Sequence, residues 1–236
     1  MNTVPTGRRA GLSRELIVKQ AVQLSAISGV EGWSVRDIAR ELGVVPSVIY
    51  HYFPNKEAIC DAVVDRVCVG IEVPDPDLEW KAWFRAMAHN LRPALLAYPG
   101  ITDRFARGKF TEQFLPMIDG AWAKLQEAGF DDNSPVAYTI IANSIIHTIG
   151  ARNLRASNQI QPRHNLHEML VRLEPMMAQS VGLTSIVNSY LEPLSHPDEE
   201  EAMSEEYYDL VIDVILDGIE HTLLLPYLCP TSQSSS

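Results

Sequence analysis

Apolar residues recur at three- and four-residue intervals along nearly the whole 236-residue chain, and no stretch alternates in the two-residue rhythm of a half-buried strand. Ser13 stands where an N-cap belongs, ahead of a first helix running to about Ser28 with Leu16, Ile17, Ala21, Leu24 and Ile27 on one face. Gly29 and Gly32 interrupt that pattern, Ser34 caps a short second helix, and Gly43 ends it. Pro46 suits the first turn of a third helix. Pro54 closes this helix after about eight residues, roughly 12 Å of rise. Asn55 caps a fourth helix reaching about Ile71, with Ile59, Val63, Val67 and Ile71 inward.

Val73-Pro74-Asp75-Pro76-Asp77 breaks all periodicity and is the natural boundary between residues 1–72 and 73–236. Beyond it the pattern predicts helices near 79–98, 101–107, 110–128, 134–155, 164–191 (broken at Gly182) and 204–225. Residues 231–236 are a polar tail with nothing to bury. Two uncharged runs, Asn133 to Ala151 and Pro175 to Leu191, raise the question of a membrane span. Asn143, Ser144, His147 and Thr148 in the first, and Gln179, Ser180, Asn188 and Ser189 in the second, argue for buried helices of an all-α core instead. The polar, basic start lacks the apolar segment of a secretory signal, so a cytoplasmic protein is expected. Cys60, Cys68 and Cys229 form no CxxC pair, and they read as free thiols rather than disulfide or zinc ligands.

Charge changes the picture. The net charge is -11, yet residues 1–72 hold eight Lys/Arg and eight Asp/Glu, so the later part carries the whole excess. Within residues 1–56 the balance is seven basic to four acidic. If the chain meets a polyanion, it does so with its N-terminal part.

Residues Ser34 to Ala58 carry the most informative constellation. Two short helices crossing at a steep angle need a small residue on the first, and Ala39 is there. The turn needs a residue that tolerates positive φ, and Gly43 follows four residues later, with Ile38, Leu42, Val44 and Ile49 as the apolar surround. The third helix is then a recognition helix. With Ile49 and Phe53 inward, it presents Ser47, Val48, Tyr50 and His51, with Tyr52 at its edge. Tyr, His and Ser bond phosphate oxygens or base edges, and Val48 suits a thymine methyl. Ser34 and Pro46 begin helices whose free N–H groups suit a phosphate. Arg36, Lys56 and the N-terminal Arg8 and Arg9 complete the expected DNA-facing set; for Arg8 and Arg9 a solubilising tail is the competing reading.

The segment V-R-D-I-A-R-E-L-G-V-x-P-x-x-x-Y-x-Y-F-P-N-K-E-A, residues 35–58, resembles the DNA-binding signature of the tetracycline-repressor (TetR) family of bacterial regulators. The likeness extends over about 10–70. It implies that Tyr50, Tyr52 and Lys56 contact phosphates and that Ser47, Val48 and His51 read bases. Val45 departs from the family pattern, which has a Ser or Thr capping the recognition helix there. The run from Trp80-x-x-Trp83-Phe84 to Tyr98-Pro99-Gly100 is similar to the tetracycline-repressor-like type of C-terminal domain.

The expected fold is therefore all-α, with a three-helix helix-turn-helix domain followed by a larger helical effector-binding and dimerisation domain. The resemblance implies a homodimer, through a four-helix bundle built from the helices near 134–155 and 204–225. It implies a double-stranded DNA operator as one partner and a small apolar or mixed-polarity effector as the other, with no cofactor. Trp83, Phe105, Phe114, Met117 and Trp122 are apolar enough to line a pocket, and Tyr138, Asn143 and His147 share one uncharged helix with them in reach; plain core or interface is the competing role for each. Asp209, Asp213 and Asp217 fall on one helix face, read here as its wet side opposite Leu210, Val211, Val214, Ile215 and Gly218. No nucleophile elbow, glycine-rich phosphate loop or H-E-x-x-H motif is present, so no enzyme and no metal site are expected; His164 and His167 lack a third ligand. Two alternatives stay open: a helical ligand-binding or enzymatic protein that keeps a helix-turn-helix for protein contacts, and an activator in place of a repressor.

Overall fold

The computed structural model describes residues 12–156 and 166–224, and these form helices and no strand. Arg8, Arg9, His164, Cys229 and the polar tail lie outside the described residues. The first four helices are α1 (Arg14–Ser28), α2 (Val35–Glu41), α3 (Pro46–Ile49) and α4 (Lys56–Cys68). An irregular stretch leads into α5 (Trp80–Ala97), α6 (Ile101–Ala106), α7 (Leu115–Glu127), α8 (Ser134–Ala156), α9 (Leu166–Met177), α10 (Val181–Ile186) and α11 (Pro197–Ile219).

Local chemistry explains most of these bounds. Ser13 accepts the Leu16 N–H, Ser34 forms a reciprocal capping box with Asp37, and Asn55 accepts the Ala58 N–H. Pro46 opens α3 behind Val45, which makes no side-chain cap. Regular α3 spans only four residues rather than eight. Its continuation winds through tighter bonds, from His51 N–H to the Val48 carbonyl and from Tyr52 N–H to the Ile49 carbonyl, because Pro54 disfavours helical geometry just before it.

Other expected helices shift. The 110–128 helix splits where Thr111 caps a 3₁₀ turn, Glu112–Phe114, before Pro116 restarts regular helix. The break in 164–191 falls ahead of Gly182, at Ser180, whose hydroxyl accepts the Leu183 N–H. The last helix starts at Pro197 rather than 204, with acidic residues favoured by the dipole of its first turns.

Trp83, Phe84, Met87, Leu91 and Leu95 on α5 form the centre of the core, and α5 packs against α7, α8 and α11. The buried apolar cluster continues without interruption into Ile17, Ile38, Ile49 and Ile59 of the first four helices. Leu16 and Ile27, expected inward, are exposed because α1 turns its Ile17–Ala21–Ser25 row toward α4. The two faces of α11 are also not arranged as expected. Its core face is Tyr208, Ile212, Leu216 and Ile219, while Leu210 and Val214 are each 59% exposed. Asp217, Asp213 and Asp209 face Lys81, Arg85 and His89 of the antiparallel α5, at 2.8, 2.6 and 3.5 Å. No described helix is long and apolar enough to cross a membrane.

Candidate nucleic-acid interface and ligand cavity

The α2–α3 pair is held in one geometry. Ala39 is buried at the crossing, and Val44 N–H donates to the Ala39 carbonyl at 2.9 Å as the chain turns. Gly43 takes φ +65° in open space, so the glycine answers to backbone conformation and not to crowding. Ile49 and Phe53 are fully buried beneath α3.

On the outer side the expected residues divide by what already holds them. Ser34, Arg36, Ser47, Tyr50 and His51 are exposed, and Pro46 and Val48 are half-buried. The Tyr50 and Arg36 side chains make no hydrogen bond, ion pair or ring contact among the described residues, which leaves their polar groups available to a ligand. Tyr52 donates its hydroxyl to the Leu12 carbonyl at 2.9 Å, and Arg14 returns a bond to the Tyr52 carbonyl while stacking over Phe53 at 4.0 Å. Lys56 donates to the Glu31 carbonyl at 2.7 Å and lies over the Trp33 ring. Both side chains fix the start of α1 and the α1–α2 loop, and each keeps further hydrogen-bonding capacity.

A cavity of about 190 Å³ opens between α5, α6, the α6–α7 connection and α8. Of the eight residues expected there, Phe105, Phe114, Tyr138 and Asn143 line it, joined by Met87, Leu91, Leu95, Phe110 and Ile146 among others. The other four lie elsewhere. Trp83 is buried against Gly120, where any Cβ would stand 2.8 Å from its ring. Met117 is buried core, and Trp122 and His147 are exposed.

A charged junction that the sequence reading missed joins the cavity wall to the first four helices. Arg104 on α6 is 1% exposed and bonds Glu31 at 2.9 Å, Glu57 at 2.8 Å and Asp61. Lys109 reaches Glu57 at 2.5 Å, and the Thr111 hydroxyl donates to Asp65. Val30 N–H donates to the Pro99 carbonyl at 2.8 Å, a close approach that only glycine at position 29 allows, since a Cβ there would lie 2.9 Å from that oxygen. Hydrogen bonds from Arg104, then Lys109, hold the Glu57 carboxyl down from 4.5 to about 2. The signal available in the sequence was the row Glu57, Asp61, Asp65 at four-residue spacing. Like charges at that spacing are unfavourable on a helix unless cations neutralise them.

The α6–α7 connection alternates its allegiance residue by residue. Lys109 and Thr111 grip α4, while Phe110 between them lines the cavity and stacks on Phe105. Exposed Val136, Ile140, His147 and Leu154 follow helical spacing along α8, and Tyr207, Leu210 and Val214 do so along α11, which packs beside it. Apart from Tyr207, whose ring meets that of Tyr190 at 5.3 Å, these side chains form largely apolar stripes left exposed among the described residues.

Residues 17–63 match the family described as bacterial regulatory proteins, tetR family, and residues 73–223 match the tetracyclin repressor-like C-terminal domain. The chain is 31% identical over 146 residues to the tetracycline repressor protein class C of Escherichia coli, covering 59% of this chain and 64% of that repressor. The matched stretch thus spans just under two thirds of that relative. It is 25% identical over 226 residues to the HTH-type transcriptional repressor DrrR1 of Streptomyces coeruleorubidus, covering 91% and 82% of the two chains. Among solved structures, the Streptomyces coelicolor TetR family protein ActR in complex with (S)-DNPA superposes with a TM-score of 0.67 at 19% identity, over 91% of this chain and all of that one. At that identity the likeness establishes a shared fold.

Proposed function

The chain belongs to the tetR family of bacterial regulatory proteins, and from that premise we propose that it is a cytoplasmic, dimeric repressor released from a palindromic DNA operator by a small molecule. Residues 1–72 supply the reading head, and residues 73–236 supply the sensor and the dimer contact. Ser47, Val48, Tyr50 and His51 on α3 enter the major groove, with Arg36, Tyr52 and Lys56 at phosphates. The exposed stripes of α8 and α11 meet their counterparts in a second copy, which buries Leu210 and Val214 and sets the distance between the two reading helices.

The observation that carries this reading is the continuity between cavity and reading head. Phe105 and Phe110 line the cavity, and Arg104, Lys109 and Thr111 beside them hold α4, which packs on α1. A ligand that binds better when Phe110 is displaced pulls Lys109 and Thr111 off α4 and changes the angle of the reading head. It does so only through unequal affinity for the two arrangements. Names of relatives agree: two are called repressors, and ActR is seen with a small molecule.

The test is selection from random duplex DNA by the purified full chain. Enrichment of an inverted repeat, weakened at least about tenfold by Tyr50→Ala, supports the proposal. Failure to enrich any sequence refutes it and leaves a ligand-binding helical protein.

A further inference from the structure

Resting on the reading of the cavity as the effector site, we propose that its ligand is an uncharged, flat aromatic molecule with one hydrogen-bonding group, bound without a metal ion. Three phenylalanines shape the space. Phe105 and Phe110 stack at 5.6 Å with 22° between their planes, and Phe105 and Phe114 lie at 5.4 Å, tilted by 47°. Exposed faces of such rings accept another ring in offset or edge geometry. Buried Met87, Leu91 and Leu95 complete an apolar floor.

The polar content is small and neutral. The described side chains lining the cavity include no Lys, Arg, His, Asp or Glu. A carboxylate or ammonium on the ligand loses its hydration there with no counter-charge among those side chains. A metal chelated by the ligand gains most from a carboxylate or imidazole donor, and no described side chain lining the cavity supplies one. Two neutral groups are available: the Tyr138 hydroxyl and the Asn143 carboxamide have no hydrogen-bond partner among the described residues, whereas Thr139 already donates to the Pro135 carbonyl at 2.7 Å. Burial pushes the Tyr138 phenol up, so it stays protonated and can donate. In size, 190 Å³ lies between an apolar cavity of ~150 Å³ that takes benzene and the ~300 Å³ at which drug-sized pockets begin. One or two fused rings fill it, and a larger molecule projects past exposed Thr139 and Asn143.

Calorimetric titration of the full chain with naphthol, naphthoate and naphthylmethylamine at pH 7, with and without EDTA, tests the proposal. Naphthol is expected to bind at least about tenfold more tightly than either charged analogue, with no effect of EDTA. Filling the cavity by Ala142→Trp is expected to abolish binding. Phe110→Ala, at a residue 57% exposed whose loss leaves the core intact, is expected to weaken it several-fold. Equal or tighter binding of a charged analogue, a requirement for metal, no binding of naphthol, or full affinity in both variants overturns the proposal. Operator release is read separately. Naphthol that binds but leaves the operator complex intact refutes the effector reading and spares the ligand chemistry; a charged analogue that binds and releases DNA does the reverse.

Discussion

Replacing Arg104 by methionine probes the junction on which coupling between cavity and reading head depends. The guanidinium is 1% exposed, whereas its partners Glu31, Glu57 and Asp61 are 44, 47 and 59% exposed. Its charge-assisted hydrogen bonds, four of them shared among three carboxylates, carry a nominal ~1.5–3 kcal/mol each at good geometry. Two corrections reduce that sum. Half-exposed carboxylates are screened and rehydrate once released, and the buried Arg104 Nε has no partner among the described residues, so part of its lost hydration is not recovered there. Methionine keeps much of the apolar stem, which limits any cavity. Without Arg104, the Glu57–Asp61–Asp65 row keeps only Lys109 and the Thr111 hydroxyl, and each repelling pair adds a few tenths of a kcal/mol. The expected loss is about 2 kcal/mol in urea unfolding at fixed protomer concentration. Amide hydrogen exchange is expected to rise in residues 29–32 and in the first turns of α4. A loss below about 0.5 kcal/mol, or a gain, refutes the reasoning, because it means that the desolvation cost of Arg104 outweighs its bonds to the three carboxylates.

Three further expectations follow from the geometry. Because Glu57 is held down to about 2, its contribution is complete above 4.5 and is lost as pH falls from 4.5 toward 2; melting temperature across that window should drop less in Glu57→Gln than in the parent chain. Gly43→Ala meets no atom within 4 Å but must adopt φ +65°, so it should cost about 1 kcal/mol in thermal unfolding while leaving operator selectivity unchanged. Leu210→Glu with Val214→Glu removes no monomer core and should convert a dimer to a folded monomer in light scattering, with operator affinity falling by at least about a hundredfold.

Caps and turns were legible because they are single-residue chemistry. Ser13, Ser34, Asn55, Pro46 and Gly43 each do what their type and position predict, and together they placed the helix-turn-helix. Faces were less legible. On α11, apolar residues occupy two sides, Ile212 and Leu216 toward the core and Leu210 and Val214 outward, and periodicity alone does not say which side a single chain buries. The two carboxylate rows, Glu57–Asp61–Asp65 and Asp209–Asp213–Asp217, both face partners distant in sequence. Such pairing depends on tertiary proximity, with Arg104 lying 47 residues from Glu57 and Arg85 lying 128 from Asp213. The cavity was half legible for the same reason. Phe105, Phe114, Tyr138 and Asn143 line it, but whether Trp83 or Met117 faces a void or a neighbour depends on Gly120 and the packing of α7.

The most direct measurement is a footprint of the full chain on the DNA flanking its own gene and on the selected sequence, at two salt concentrations, with Tyr50→Ala beside it. Tyr50 is half exposed and its hydroxyl bonds nothing among the described residues, so its loss reads DNA contact more than folding. The expected result is protection of two half-sites about one helical turn apart, weakening steeply with salt and lost in the variant. Protection that is absent from both DNAs, or that is unchanged by Tyr50→Ala and insensitive to salt, contradicts the assignment of α3 as the reading helix.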